Sequence, residues 1–439
     1  LSHDIIAHEA GHAVLDGVRP MYLQFSSLQT LAFHEYIADL TAILLALHNK
    51  DIRRFVSTTA EGLSGANVMA DLAKEFGQEV VGRDYLRTAF NQLKMSDVKH
   101  SLVPHTVSQV LTGAMWQVLV AIAERHLAKN EAGQKVSPAQ ALWWAADRFR
   151  RVALQPLDLC PPCDLQFIDY AKAVIRNDII TNPVDEQGYR PIMLKVFHER
   201  ELCTCGYQPG QDLPEDCAFN EAMDLERIYF VYHSIERISR SRTAAYDFLS
   251  DNRRQLLIPS HQDLRVVDLY DAIKYGAQAK RLPREVVLEY VWQEVVPLTP
   301  TDDLDFGQYN GKYFYLDCGG TLVFDDRGNL LSFFRKPGTE HLSPEEARKL
   351  RQKANPTKLE RMALADLRIG EARKKDLLTY LSQIIRRGMV GAPVAGSPFS
   401  ETDKPFTLLE EGDALRMEMA PHISMRDFTR EEEEWLTNF

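Results

Sequence analysis

The chain contains no uninterrupted run of eighteen apolar residues, so nothing in it reads as a membrane-spanning helix. Its longest apolar stretch, Leu40 to Leu47, lies inside an amphipathic pattern. No basic segment followed by an apolar one opens the sequence, and no signal peptide is visible. The first residue is Leu1 rather than an initiator methionine, and the chain reads as a fragment or a processed product. Excess positive charge is missing too. The net charge of −11 argues against a nucleic-acid-binding surface. Cysteine is sparse: Cys160, Cys163, Cys203, Cys205, Cys217 and Cys318 are too few to staple a chain of 439 residues as a disulfide scaffold. There is no internal repeat. What remains is a globular composition, 45% apolar and 26% charged, long enough for two or three domains. Cytoplasmic and secreted locations both fit a soluble chain of this kind.

Apolar periodicity predicts helices over 3–16 and 30–48, and again over 64–77, 106–130, 138–150, 165–178 and 218–238. Residues 286–296 are β-branched and aromatic. Tyr313–Leu316, Thr321–Phe324 and Leu330–Phe334 read as short strands, with Asp325 to Asn329 as a hairpin-type turn. The glycines of Asp317-Cys318-Gly319-Gly320 lack the Lys-Ser/Thr of a phosphate loop and read as a β-turn. Ser343-Pro344-Glu345-Glu346 is a capping box that starts a charged helix. Gly391 to Ser400 reads as a linker, and Glu431 to Glu434 as a solvated helix face.

The chemistry concentrates near the start, in His8-Glu9-Ala10-Gly11-His12. Residues four apart share a helix face, so His8 and His12 can grip one zinc ion. Glu9 is then placed to act as general base on a water. Ala10 and Gly11 are small enough to admit another element closely. A catalytic zinc needs a third protein ligand. Glu35, on the second helix, is the best candidate, with Asp39 one turn later to accept a hydrogen bond from a ligand histidine. His34 is a rival ligand, on a different face from Asp39.

His8-Glu9-x-x-His12 followed by Glu35-x-x-x-Asp39 resembles the glutamate-ligand zincins, the thermolysin and fungalysin families. His105 through Trp116 is similar to the fungalysin-type segment His-x-x-Gly-Glu-Val-(x)5-Leu-Trp, with Ser108 and Gln109 in place of its Gly and Glu. Further likeness runs through Leu159-Cys160-Pro161-Pro162, Asp169-Tyr170, Asp178, Gly188-Tyr189-Arg190 and Phe197-x-x-Arg200, so the resemblance covers about residues 3–202. It implies a zinc-dependent endopeptidase acting on peptide or protein substrates. His8, His12 and Glu35 would be its ligands, Glu9 its base, and His105 its oxyanion stabiliser. Tyr22, with Tyr36 as its rival, would assist at the oxyanion, and Arg87 would bind a substrate carbonyl.

The resemblance implies a mainly helical zincin C-terminal lobe (1–202); the pattern of the residues after it adds a smaller α+β accessory part, which makes the fold α+β overall. That part divides into a mostly helical connecting region (203–298), a small hairpin-plus-helix region (299–395) and a C-terminal segment (396–439). Families of this type carry a β-rich lobe ahead of the zinc helix. The residues before His8 cannot form it, so a separate N-terminal segment or a partner chain is expected to complete the cleft. Cys160-x-x-Cys163 and Cys203-x-Cys205 would together offer four thiolates for a structural zinc. A disulfide from Cys203 or Cys205 to Cys217, or free thiols, are the alternatives. Two other functional readings remain. His-Glu-Ala-Gly-His-Ala also resembles membrane AAA proteases, but no ATP-binding loop accompanies it. The third is a zincin-like binding or toxin-associated module with weak or no peptidase activity.

Overall fold

The computed structural model describes residues 3–24, 26–58, 71–72, 87–128, 136–208, 210–215, 217–225, 228–231, 233–276, 279–390 and 406–419. The first part is helical: α1 His3–Val18, α2 Leu28–His48, α3 Lys50–Thr58, α4 Pro104–Ala128, α5 Pro138–Leu154, α6 Phe167–Thr181 and α7 Tyr189–Glu199. At its centre stands α2. Every residue from Thr30 to Leu40 is buried, as expected of a helix enclosed on all sides rather than along one stripe. Its neighbours are α1, α4 and α5. Phe33 and Tyr36 of α2 pack against Tyr170 of α6, with ring centroids 5.1 and 5.4 Å apart. By length and composition α2 and most of α4 are apolar enough to cross a membrane, yet both are mostly buried within this fold. Polar residues interrupt both, so neither forms an unbroken apolar run in the sequence.

The second part is built on one mixed sheet. Its strands are β3 Arg265–Tyr275, β4 Arg281–Pro297, β5 Tyr313–Asp325, β6 Leu330–Lys336, β7 Phe406–Glu411 and β8 Ala414–Met419. A two-residue pair, β1 Asp71–Leu72 and β2 Arg87–Thr88, stands apart from it. The order is β3-β4-β5-β8-β7. β6 pairs antiparallel with β5 from Gly319 to Phe324, and β8 pairs parallel with β5 at Tyr313 and Phe314. Short helices α8 Asn220–Met223, α9 Ile235–Arg240, α10 Arg242–Asp251 and α11 Arg253–Leu256 precede the sheet, and α12 Pro344–Gln352 and α13 Lys358–Arg386 follow β6. Among these, α12 begins at the expected Ser343–Glu346 capping box, with Pro344 in its first turn.

Strand β4 is buried without interruption from Glu285 to Trp292, the pattern of a strand covered on both faces. Val287, with Val323 and Phe334, joins the core of the helical part. Val286, Leu288, Tyr290 and Trp292 face the other way and join a second core with Phe248 and Leu249 of α10 and Leu381 and Ile384 of α13. Buried ion pairs fasten the layers. Arg19, just past α1, pairs with Glu289 of β4. Lys336 of β6 meets Asp169 of α6 at 2.5 Å, and Arg373 of α13 meets Asp164 at 2.8 Å.

Several expectations change here. Residues 203–298 are not mostly helical, because β3 and β4 occupy 265–297. The helix expected over 218–238 is two short pieces, α8 and α9. The hairpin over 299–395 belongs to the larger sheet, whose Val287, Val323 and Phe334 join the core of the helical part. The turn expected at Gly319-Gly320 is the middle of the continuous strand β5. These glycines answer to packing: a side chain at Gly319 would collide with the Tyr290 carbonyl oxygen, and one at Gly320 would come within 2.8 Å of the Tyr290 hydroxyl. Most of the helix expected over 64–77, together with the 391–400 linker and the 431–434 run, lies outside the described residues.

Candidate metal centre

In α1, His8 and His12 point inward one turn apart and are buried, while Glu9, rotated by about 100° around the helix, is exposed. Gly11 lies between them against α2. A Cβ at this position would stand 2.7 Å from the Ala38 Cα and 2.8 Å from the Thr41 hydroxyl. Glycine therefore lets the two helix backbones approach closely enough for a carboxylate on α2 to reach the imidazoles on α1.

That carboxylate is Glu35. The His8 and His12 Nε2 atoms are 3.2 Å apart. Glu35 Oε2 is 3.5 Å from His8 Nε2, and Glu35 Oε1 is 3.8 Å from His12 Nε2. Donors about 2.0–2.1 Å from a tetrahedral zinc are separated from each other by about 3.4 Å. The three side chains thus bracket the spacing that such an ion requires, and their donor atoms all lie within 4.8 Å of one another. Asp39, one turn beyond Glu35, places Oδ1 3.0 Å from His8 Nδ1. Accepting from Nδ1–H, it fixes the tautomer that turns the Nε2 lone pair toward Glu35 and His12. Its other oxygen accepts a 3.3 Å hydrogen bond from the Thr112 hydroxyl.

Helix α4 supplies this outer support. Pro104 occupies the first position of the helix, and His105 follows, with Nε2 2.8 Å from Glu35 Oε2. Thr112 is seven residues on, two turns along the same face. One helix therefore touches both carboxylates of α2. Sequence reasoning missed Thr112. The seven-residue interval from His105 was its only signal, and a threonine within an apolar helix does not stand out.

Compared with protein-family models, with curated proteins and with solved structures, the chain matches none. The reading of the site therefore rests on its own geometry.

Not every sequence candidate gathers there. His34 turns away from the cluster, with Nδ1 3.6 Å from Asp16 and its ring stacked 6.2 Å from that of His12. Tyr22 is fully buried and donates to the Pro161 carbonyl at 2.8 Å. Burial pushes its phenol well above the ordinary range. Its rival Tyr36 is hydrogen-bonded to Tyr170 in the core. Both hydroxyls thus have hydrogen-bond partners outside the His8–His12–Glu35 cluster. Arg87 falls in β2, with its side chain outside the described residues. Of the cysteine alternatives, all six thiols are free, and the four-thiolate grouping of Cys160, Cys163, Cys203 and Cys205 does not gather. Cys160 is enclosed, its thiol 3.4 Å from the Pro156 carbonyl and pushed up to about 12 by burial, which makes it a poor thiolate. Cys203 and Cys205 instead gather with Cys217 and His198.

Proposed function

We propose that this chain is a zinc-dependent endopeptidase, with α1 to α7 as the helical lobe of a glutamate-ligand zincin. The observation that carries the reading is the convergence of His8, His12 and Glu35 at zinc-like separations, with Asp39 behind His8. Two histidines at i and i+4 occur on many helices. A third donor from a second helix and a carboxylate orienting the first imidazole are a much more demanding coincidence.

In this reading zinc, held by His8, His12 and Glu35, supplies Lewis-acid polarisation of a water molecule and of the scissile carbonyl. Glu9 takes the water's proton and returns it to the leaving amine. Glu9 is exposed, so its carboxylate is open to solvent. Asp39 holds the His8 ring and Thr112 holds Asp39, so little reorganisation is needed at the histidine. His105 donates toward the developing oxyanion, a role that requires its Nε2 to exchange Glu35 for substrate. Tyr22 has no place in this scheme while its hydroxyl is bound to Pro161.

The test is Glu9→Gln in the full chain, assayed for zinc content and for cleavage of an unstructured protein substrate. Retained zinc with hydrolysis reduced by about 10²-fold or more is expected. Undiminished cleavage in that variant would overturn the reading.

A further inference from the structure

From Arg200 to Phe219 the described chain forms neither helix nor strand, yet it is not loosely attached. Cys203 and Cys217 are buried, and their sulfurs lie 3.7 Å apart. His198, in the last turn of α7, brings Nε2 to 3.0 Å from the Cys205 sulfur and 3.8 Å from that of Cys217. The four donor atoms all lie within 4.8 Å of one another.

Three features of this cluster point the same way. Zinc–sulfur bonds of about 2.3 Å in a tetrahedron separate the sulfurs by about 3.8 Å, close to the Cys203–Cys217 distance. A disulfide would require about 2.05 Å and would leave the third thiol and the imidazole unexplained. His198 Nδ1 is 2.7 Å from the Leu194 carbonyl, so it carries the hydrogen and donates it. That leaves the Nε2 lone pair directed at the sulfurs, the arrangement found behind metal-bound histidines. Finally, the imidazole is flanked by the rings of Tyr207 and Phe219, at 4.6 and 5.3 Å, which hold it in place.

We propose that His198, Cys203, Cys205 and Cys217 form a structural zinc site, separate from the His8–His12–Glu35 centre. Three sulfurs and one imidazole complete a tetrahedron and leave no position for substrate, so the site clips a loop rather than performing chemistry. The thiolate-rich donor set selects zinc over calcium or magnesium. The clip ties the end of α7 to the start of α8, whose Ala222 is packed in the same core as Cys203 and Cys217.

The experiment loads the full chain, purified under reducing and anaerobic conditions, with cobalt(II) alone as the spectroscopic probe. A thiolate-to-cobalt charge-transfer band is expected in the unmutated chain and in His8→Ala/His12→Ala, and should vanish in Cys203→Ser/Cys217→Ser. Because the histidine variant removes the other centre, the outcome does not depend on peptidase activity. Misfolding of the serine variant is controlled in the unmutated zinc-loaded chain by alkylation and peptide mapping. There Cys203, Cys205 and Cys217 should resist alkylation until a chelator is added. Absence of the band in the unmutated chain, equal alkylation with and without zinc, or a mapped Cys203–Cys217 disulfide would each overturn the proposal.

Discussion

The two clusters of this molecule use the same side-chain type, histidine, in opposite settings. At His8 and His12 the ligands rise from two long helices whose spacing is set by the Gly11–Ala38 contact, and the neighbouring Glu9 is left exposed. At His198 a single imidazole ends a helix, and an irregular segment folds three sulfurs around it. In the first, the scaffold shapes the site and would stand without an ion. In the second, the proposed ion would help to shape the scaffold. The difference teaches where function is to be sought: three protein donors would leave a zinc ion one coordination position for chemistry, whereas four would leave none.

Each half of that contrast can be broken. The largest effect is expected at Glu9, where Gln should lower kcat by about 10²–10⁴-fold while zinc content, measured by elemental analysis, stays the same. Next comes the clip. Cys203→Ser/Cys217→Ser should lower Tm by at least about 5 °C in calorimetry, because binding energy at a structural site is folding energy. His8→Ala/His12→Ala should abolish activity with a much smaller Tm change, and equal Tm losses would erase the distinction between the two centres. Asp39→Asn should weaken zinc affinity by about 10–100-fold in competition with a chelating dye, through the loss of the His8 tautomer. Thr112→Val should have the smallest effect, about 1 kcal/mol or some fivefold in affinity, since one long hydrogen bond to the Asp39 carboxylate, at 3.3 Å, is removed. Acid should strip both centres, because protons compete with metal for imidazole and thiolate, so affinity falls as pH falls.

Much of the first centre was legible because its signals are short in sequence. His8 and His12 are one turn apart, and so are Glu35 and Asp39, so helix periodicity alone places each pair on one face. The step from pair to cluster needed the α1–α2 contact, which Gly11 permits but no local pattern announces. Thr112 and the His198–Cys217 partnership were invisible for a related reason: their partners are distant in the chain, and only tertiary packing unites them. The sheet was half legible. The apolar run of β4 showed a strand, but Gly319-Gly320 imitated a turn, since glycine punctuates a chain far more often than it makes room for a crossing tyrosine. Cys160-x-x-Cys163 misled by spacing alone, its first thiol being buried against backbone carbonyl rather than facing other ligands.

The buried Arg19–Glu289 pair has a further consequence, for how this centre could be carried elsewhere. Arg19 lies seven positions after His12, and its counter-charge comes from the middle of the sheet. A shortened version ending near residue 202 would keep every proposed zinc ligand of the first centre but lose both the carboxylate that neutralises this guanidinium and the strand face that covers the helical core beside it. The helix that carries His8 and His12 is therefore not a portable part. Whatever lineage or engineer moves it must move a strand some 270 residues away along with it.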